Sequence, residues 1–179
     1  MPRIRALEPA DAPAFQAFVR ALSAETRRER FLGAVHELGP GMLRQLTQAA
    51  SPEHCALVAI SEGAIIAESR YALDEDGASG EIALVVAESW RRLGLGGRLL
   101  DAIVACAARA GLARLRGEVF RTNVAMQALV RKAGFELRSH PRDARLAEID
   151  LRLAPRSLLK SAIELTGNPL QEPASLNQS

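Results

Sequence analysis

One stretch limits what this chain can become. Residues 81–86 read Glu-Ile-Ala-Leu-Val-Val, an apolar β-type run, and residues 91–100 read Arg-Arg-Leu-Gly-Leu-Gly-Gly-Arg-Leu-Leu, a glycine-rich entry into a long amphipathic segment. A helix start leaves its first N–H groups unpartnered and carries partial positive charge, so backbone that can approach an anion closely there forms an anion site. Gly94, Gly96 and Gly97 allow that approach, and Arg91 and Arg92 add charge. The order strand, turn, glycines, helix therefore predicts an α/β fold with a phosphate-binding turn near its centre.

Three known arrangements compete for such a turn. A dinucleotide loop needs G-x-G-x-x-G, and Leu99 occupies the third glycine position. A nucleoside triphosphate loop needs Gly-Lys-Ser or Gly-Lys-Thr, and neither tripeptide occurs in the chain. Arg91-Arg-Leu-Gly94-Leu-Gly96 instead resembles the R/Q-x-x-G-x-G/A pyrophosphate loop of the GNAT superfamily of acyl-CoA-dependent N-acetyltransferases. Farther on, Asn123-Val-Ala-Met126-Gln-Ala-Leu129-Val-Arg-Lys132-Ala-Gly134-Phe135 resembles that family's later helix, N-x-x-A/M-x-x-L-(Y)-x-K-x-G-F. Two motifs in the right order are much more specific than either alone, and the resemblance spans roughly residues 3–153.

Composition agrees with an ordinary folded enzyme. The 179 residues are 48% apolar and 25% charged, enough for one core that buries about 70% of the unfolded surface. No apolar run approaches the ~20 residues of a membrane span, and Glu8 and Asp11 interrupt any secretory signal, so a cytoplasmic protein is expected. A net charge of +2 is too small for a general nucleic-acid binder. The two cysteines, Cys55 and Cys106, are too few and too far apart in sequence for a disulfide framework or zinc cluster. They read as buried reduced thiols, and no metal is implied.

In chain order, Ile4 to Leu7 makes a first strand. Asp11 is placed to cap a helix whose face carries Phe15, Phe18, Val19 and Leu22. Ser23 opens a second helix, where Arg27, Arg28 and Arg30 form either a solvated face or a basic lip. Cys55 to Ile60 and Ala64 to Leu73 form a hairpin, Glu81 to Val86 the central strand, and a helix from near Leu93 to Gly111 crosses over to a parallel strand, Leu115 to Phe120. Asn123 to Gly134 is helical, and two strands follow, Phe135 to Ser139 and Leu146 to Leu153. The expected fold is a mixed sheet with helices on both faces, an αβα sandwich in a single domain over residues 1–154. A tail over 155–179 follows, with a short helix over 156–165 and a disordered polar end.

The resemblance implies more than patterning can. In GNAT proteins the central strand and the next one splay apart, and the pantetheine arm of acetyl-CoA bonds to backbone in that gap, which assigns Leu84 and Val86 here. It implies a pyrophosphate cradle from Arg91, Arg92, Leu93, Gly94, Leu95, Gly96 and Gly97, an arm contact at Asn123, whose ordinary alternative is an N-cap, and Lys132 near the adenosine phosphate. The expected base for a primary amine acceptor is Glu81, with Glu118 and His36 in reserve, since the segment around it resembles the strand of bacterial protein lysine acetyltransferases that carries a catalytic glutamate. The leaving thiolate often takes its proton from a tyrosine, but that position is Val130 and the only tyrosine is Tyr71. The expected activity is N-acetyl transfer to a small amine or protein lysine, by a monomer or homodimer. The alternative is an acyl-CoA sensor without turnover.

Overall fold

The computed structural model describes residues 1–154, and the tail expected at 155–179 lies outside the described residues. Seven strands form one sheet: β1 (Arg3–Ala6), β2 (His54–Ser61), β3 (Ala64–Leu73), β4 (Ser79–Val86), β5 (Arg114–Phe120), β6 (Glu136–Ser139) and β7 (Leu146–Arg152). Their spatial order is β1-β2-β3-β4-β5-β7-β6. Every neighbouring pair is antiparallel except β4 and β5, the pair joined through the long crossover helix. The sandwich expected from the sequence is present.

Alternation along the strands divides the core in two. On one face α4 (Leu95–Ala110) buries Leu95, Leu99, Leu100, Ile103 and Ala107 against Leu57, Tyr71, Ile82, Leu115, Val119 and Ile149, with α5 (Val124–Lys132) beside it. On the other, α1 (Ala12–Ala21) buries Phe15, Phe18 and Val19 against Val58, Ile65 and Val85, with α2 (Ala24–Phe31) and α3 (Pro40–Leu46) at its rim.

Three local expectations need correction. Asp11 does not cap α1: its own backbone is already helical (φ −79°, ψ −3°), so its carboxylate turns back to accept from the Arg5 guanidinium and the Glu8 N–H. The long helix starts at Leu95 rather than Leu93, because Arg92 (φ 60°) and Gly94 (φ 79°) take left-handed conformations that no right-handed helix can include. The α2 arginines divide: Arg28 stays exposed, whereas Arg27 and Arg30 are engaged with the rest of the protein and are not free to form a basic lip. Arg27 donates to the carbonyls of Leu22, Arg20 and Val35, and Arg28 lies 4.8 Å over the Phe120 ring. Arg30, with its side chain only 8% exposed, pairs with the fully buried Glu68 at 3.1 Å. Ser23 does cap α2 as expected, its hydroxyl accepting from the Thr26 N–H at 3.1 Å.

Candidate active site

The feature that makes a site is the way β4 and β5 part. They pair only at Ser79↔Arg114, Gly80↔Leu115 and Glu81↔Arg116, all at the start of β4. Gly117 follows at once, and a Cβ there would lie 3.0 Å from the Ile82 carbonyl oxygen. Glycine makes this close approach possible without displacing the Ile82 backbone, and beyond it the strands diverge. On the other side of β4 the Ala87 N–H donates to the Ile66 carbonyl at 2.9 Å. By the alternation of an antiparallel ladder, Val85 and Ala83 also direct their backbone groups to β3, and Leu84 and Val86 direct theirs into the gap.

A cavity of about 920 Å³ runs through this gap. On the α4 side it is lined by Leu84, Val86, Gly94, Gly96, Gly97, Asn123, Leu129, Val130 and Lys132, and on the opposite side by Thr26, Glu29, Arg30, Glu81 and Glu118. The α4 N-terminus opens into it, and the Arg98 N–H is the first to find a helical partner, the Gly94 carbonyl at 3.2 Å. The amides of Leu95, Gly96 and Gly97 precede that bond, so they are the orphan donors of a helix start. Leu93 and Leu95 are not among the residues that line the cavity: Leu93 exposes its side chain to solvent and Leu95 buries its own in the core.

Of the expected cations, Arg92 and Lys132 line the cavity and form no ion pair among the described residues. Arg91 lines it too, but its guanidinium is engaged. Nε donates to the Val86 carbonyl at 3.1 Å and Nη2 to the Thr26 hydroxyl at 2.6 Å. That hydroxyl donates to the Glu88 carboxylate at 2.6 Å, which also accepts from the Ser23 N–H at 3.0 Å. Burial would push the Glu88 carboxyl up, but the Thr26 and Ser23 hydrogen bonds more than offset it and hold it at about 2. Arg91 thus clamps the turn to α2 and occupies the Val86 carbonyl. Asn123 performs its ordinary alternative, its Oδ1 accepting from the Met126 N–H at 3.0 Å, while still lining the cavity.

On the face of the sheet opposite α4 and α5, the outer strands carry charge instead of apolar side chains, around a second cavity of about 340 Å³. Glu81, Glu118 and Ile149 line both cavities, so the two meet at the gap. Glu81 is exposed, at the last paired position of β4, with no ion pair among the described residues. Glu118 points from the same face of β5 and meets His140 at 3.1 Å. His36 lines neither cavity. His140 and Glu148 were not anticipated from the sequence, since only the pairing of β5 with β7, and of β7 with β6, brings them here. The α2 contribution of Thr26, Glu29 and Arg30 was legible only as a general acceptor-side insertion.

The cysteines, distant in sequence, meet in space on the α4 side of β2 and line neither cavity. Burial, reinforced by the neighbouring Cys106 thiol, pushes Cys55 up to about 12. Arg109, one turn along α4, brings Nη2 to 3.2 Å from the Cys106 sulfur. Both thiols are free.

A sheet split beside its central strand, a glycine-rich helix start opening into the split and a cavity that crosses from one face to the other define an acyl-CoA-dependent N-acyltransferase. A profile of the acetyltransferase (GNAT) family matches residues 17–135, and the chain belongs to that family, whose members transfer acetyl groups from acetyl-CoA. It is 30% identical over 145 residues to acetyltransferase PA5475 of Pseudomonas aeruginosa, covering 79% of this chain and 78% of that protein. Its fold is similar to the GNAT domain of Streptomyces lividans PAT (TM-score 0.78, 22% identity, 85% of this chain and 90% of that one). It is similar also to yncA, a putative acetyltransferase from Salmonella typhimurium with its cofactor acetyl-CoA (TM-score 0.69, 19% identity, 87% and 96%). Among the described residues no helix is long and apolar enough to cross a membrane.

Proposed function

We propose that this protein transfers the acetyl group of acetyl-CoA to a primary amine, a small molecule or a protein lysine, with Glu81 as general base. Residues 1–154 form the catalytic domain, acting in the cytoplasm. The observation that carries the reading is the place of Glu81: a carboxylate with no ion pair among the described residues, at the point where the strands separate and lining both cavities. The donor set suits acetyl-CoA. Orphan amides at Leu95, Gly96 and Gly97, with Arg92 and Lys132, suit its phosphates. The backbone groups of Leu84 and the Val86 N–H, with the Asn123 side chain at the wall, suit its amide-bearing arm.

When bound, acetyl-CoA supplies a thioester carbonyl open to attack. An amine attacks only as the free base, and for a lysine-like amine of pKa about 10.4 deprotonation at pH 7 costs roughly 4.6 kcal/mol. Glu81, reached from the charged face, takes that proton directly or through a water before attack; as the C–N bond forms and the C–S bond breaks, the nitrogen gives up its second proton to solvent. Val130 is 2% exposed and offers no acid, so the leaving thiolate takes its proton from solvent.

The test is release of free thiol from acetyl-CoA with a panel of alkyl amines and lysine peptides, beside a binding isotherm. Glu81→Gln keeps the shape and removes basicity. Turnover should fall by roughly 10²–10⁴ while acetyl-CoA binding persists, and the residual rate should climb only as the amine itself deprotonates. Wild-type turnover in this variant would remove Glu81 from the role. Val130 favours one second reading, an acyl-CoA sensor, for which binding without thiol release from any acceptor would speak.

A further inference from the structure

On the proposed acceptor side, the arginines that line the two cavities already have carboxylate partners. Arg30 pairs with Glu68, Arg114 with Asp150, Arg116 with Asp74 at 2.6 Å and Arg138 with Glu136 at 2.7 Å. Glu81, Glu118 and Glu148 have no guanidinium partner among the described residues. Glu118 and Glu148 are cross-strand neighbours in the β5–β7 register, and like charges directly opposite each other are unfavourable. Arg138, directly opposite Glu148 on β6, offsets part of that repulsion at Glu148, and a cation above Glu118 would relieve the rest.

Glu118 differs from the other two because something holds it. His140, with its side chain only 10% exposed, stands behind it with Nε2 3.1 Å from Glu118 Oε1. The other ring nitrogen, Nδ1, accepts from the main-chain N–H groups of Asp143 (2.8 Å) and Arg142 (3.2 Å). An imidazole nitrogen that accepts carries no proton, so this network assigns His140 as the neutral tautomer protonated at Nε2, donating to Glu118. The turn between β6 and β7 therefore orients the ring, and the ring orients the carboxylate. Because His140 is neutral, the Glu118 charge remains available.

We infer that Glu118, aimed by His140, seats the ammonium form of the acceptor at the gap, where Glu81 then removes its proton. The inference rests on the proposed amine acetyl transfer and adds to it a residue that touches substrate, a positioning residue, and a substrate class: alkylamines that arrive as cations. Glu118 lies two residues beyond Arg116, the partner of Glu81. The two carboxylates thus flank the opening on one face, one on each diverging strand.

The side chains that can replace His140 separate positioning from mere support of the turn. Asparagine keeps an acceptor near the backbone for the Asp143 N–H but cannot reach Glu118. Glutamine places an amide N–H near the position of Nε2. Initial rates of thiol release would be measured with 1,5-diaminopentane and with a blocked lysine amide as acceptors. Glu118→Gln should raise KM for the amine about tenfold or more, the loss expected for a hydrogen bond to a charged group, with kcat nearly unchanged and acetyl-CoA affinity intact. His140→Asn should raise KM similarly, and His140→Gln should restore much of it. A wild-type KM in Glu118→Gln would overturn the inference while leaving the reaction standing, provided Glu81→Gln is still inactive. So would His140→Gln performing no better than His140→Asn, or a loss confined to kcat. Absence of thiol release by the wild type with every amine would sink both this assignment and the reaction it rests on.

Discussion

Gly117 on β5 and Ile82 on β4 touch at the point where the sheet splits: a Cβ at Gly117 would stand 3.0 Å from the Ile82 carbonyl oxygen, 3.3 Å from Ile82 Cγ2 and 3.4 Å from Ile149 Cδ1. The neighbour is backbone, which cannot step aside as the end of a flexible side chain can. Gly117→Ala should therefore force the strands apart earlier, costing about 1–3 kcal/mol of stability and weakening acetyl-CoA binding through the altered gap. Urea unfolding and a binding isotherm check the two effects. Wild-type values in both would mean that the gap does not depend on this contact.

That contact also shows where sequence reading reaches its limit. The glycine-rich helix start and the α5 segment were legible because each is a local statement: glycines at a helix start, and an N-cap followed by an amphipathic run. The central strand could be placed because apolar runs are local too, although it starts at Ser79, two residues before the expected Glu81. The contacts that make Glu81 and Glu118 neighbours across the opening come from register, the pairing of Glu81 with Arg116 and of Glu118 with Glu148. His140 behind Glu118, the Cys55–Cys106 contact and the burial of Arg30 on Glu68 likewise join residues far apart in sequence. No periodicity encodes them. Arg91 illustrates the same limit, since its charge suggested phosphate while its position against Thr26 gives it a clamping bond.

Gly96 gives a sharper test of the phosphate turn. A Cβ there would lie 3.2 Å from Leu129 Cδ2, 3.6 Å from Val86 Cγ2 and 4.0 Å from Leu84 Cδ2, all cavity residues. Gly96→Asp would add a negative charge among the orphan amides as well as bulk, and acetyl-CoA affinity should fall about tenfold or more, a change of about 1.4 kcal/mol. Gly96→Ala meets only the flexible end of Leu129 and should lose much less. Equal affinities in folded Asp and wild-type proteins would place the anion site elsewhere.

Glu68 ties the acceptor side to the core. Its side chain is 0% exposed and accepts from both Arg30 and Arg70, whose side chains are 8% and 13% exposed. Burial alone would push the Glu68 carboxyl up, but the two guanidiniums hold it below the usual carboxylate range. Removing one member of such a network strands the others, so Glu68→Gln should cost about 3–5 kcal/mol. Urea unfolding measures the loss. Because Arg30 lines the cavity on the proposed acceptor side, amine KM should rise in the same variant while it remains folded; an unchanged stability would show that the arginines find other partners.

Glu88 makes the attachment of α2 to the phosphate turn sensitive to acid. Its carboxylate accepts from the Thr26 hydroxyl and the Ser23 N–H, and its folded-state value lies at about 2 against an ordinary 4.5. The folded protein therefore binds this proton less readily than the unfolded chain does. The contribution to stability is present in full above about pH 4.5 and is lost as pH falls towards 2. In Glu88→Gln the ionised acceptor is absent at every pH. The difference in melting temperature between wild type and variant should be largest near neutrality and shrink through that acid window, and it can be followed by thermal melts at closely spaced pH values. Thr26 would also lose the partner that orients its hydroxyl towards Arg91, so acetyl-CoA affinity at neutral pH should weaken in the variant. A difference independent of pH would show that Glu88 acts through packing alone.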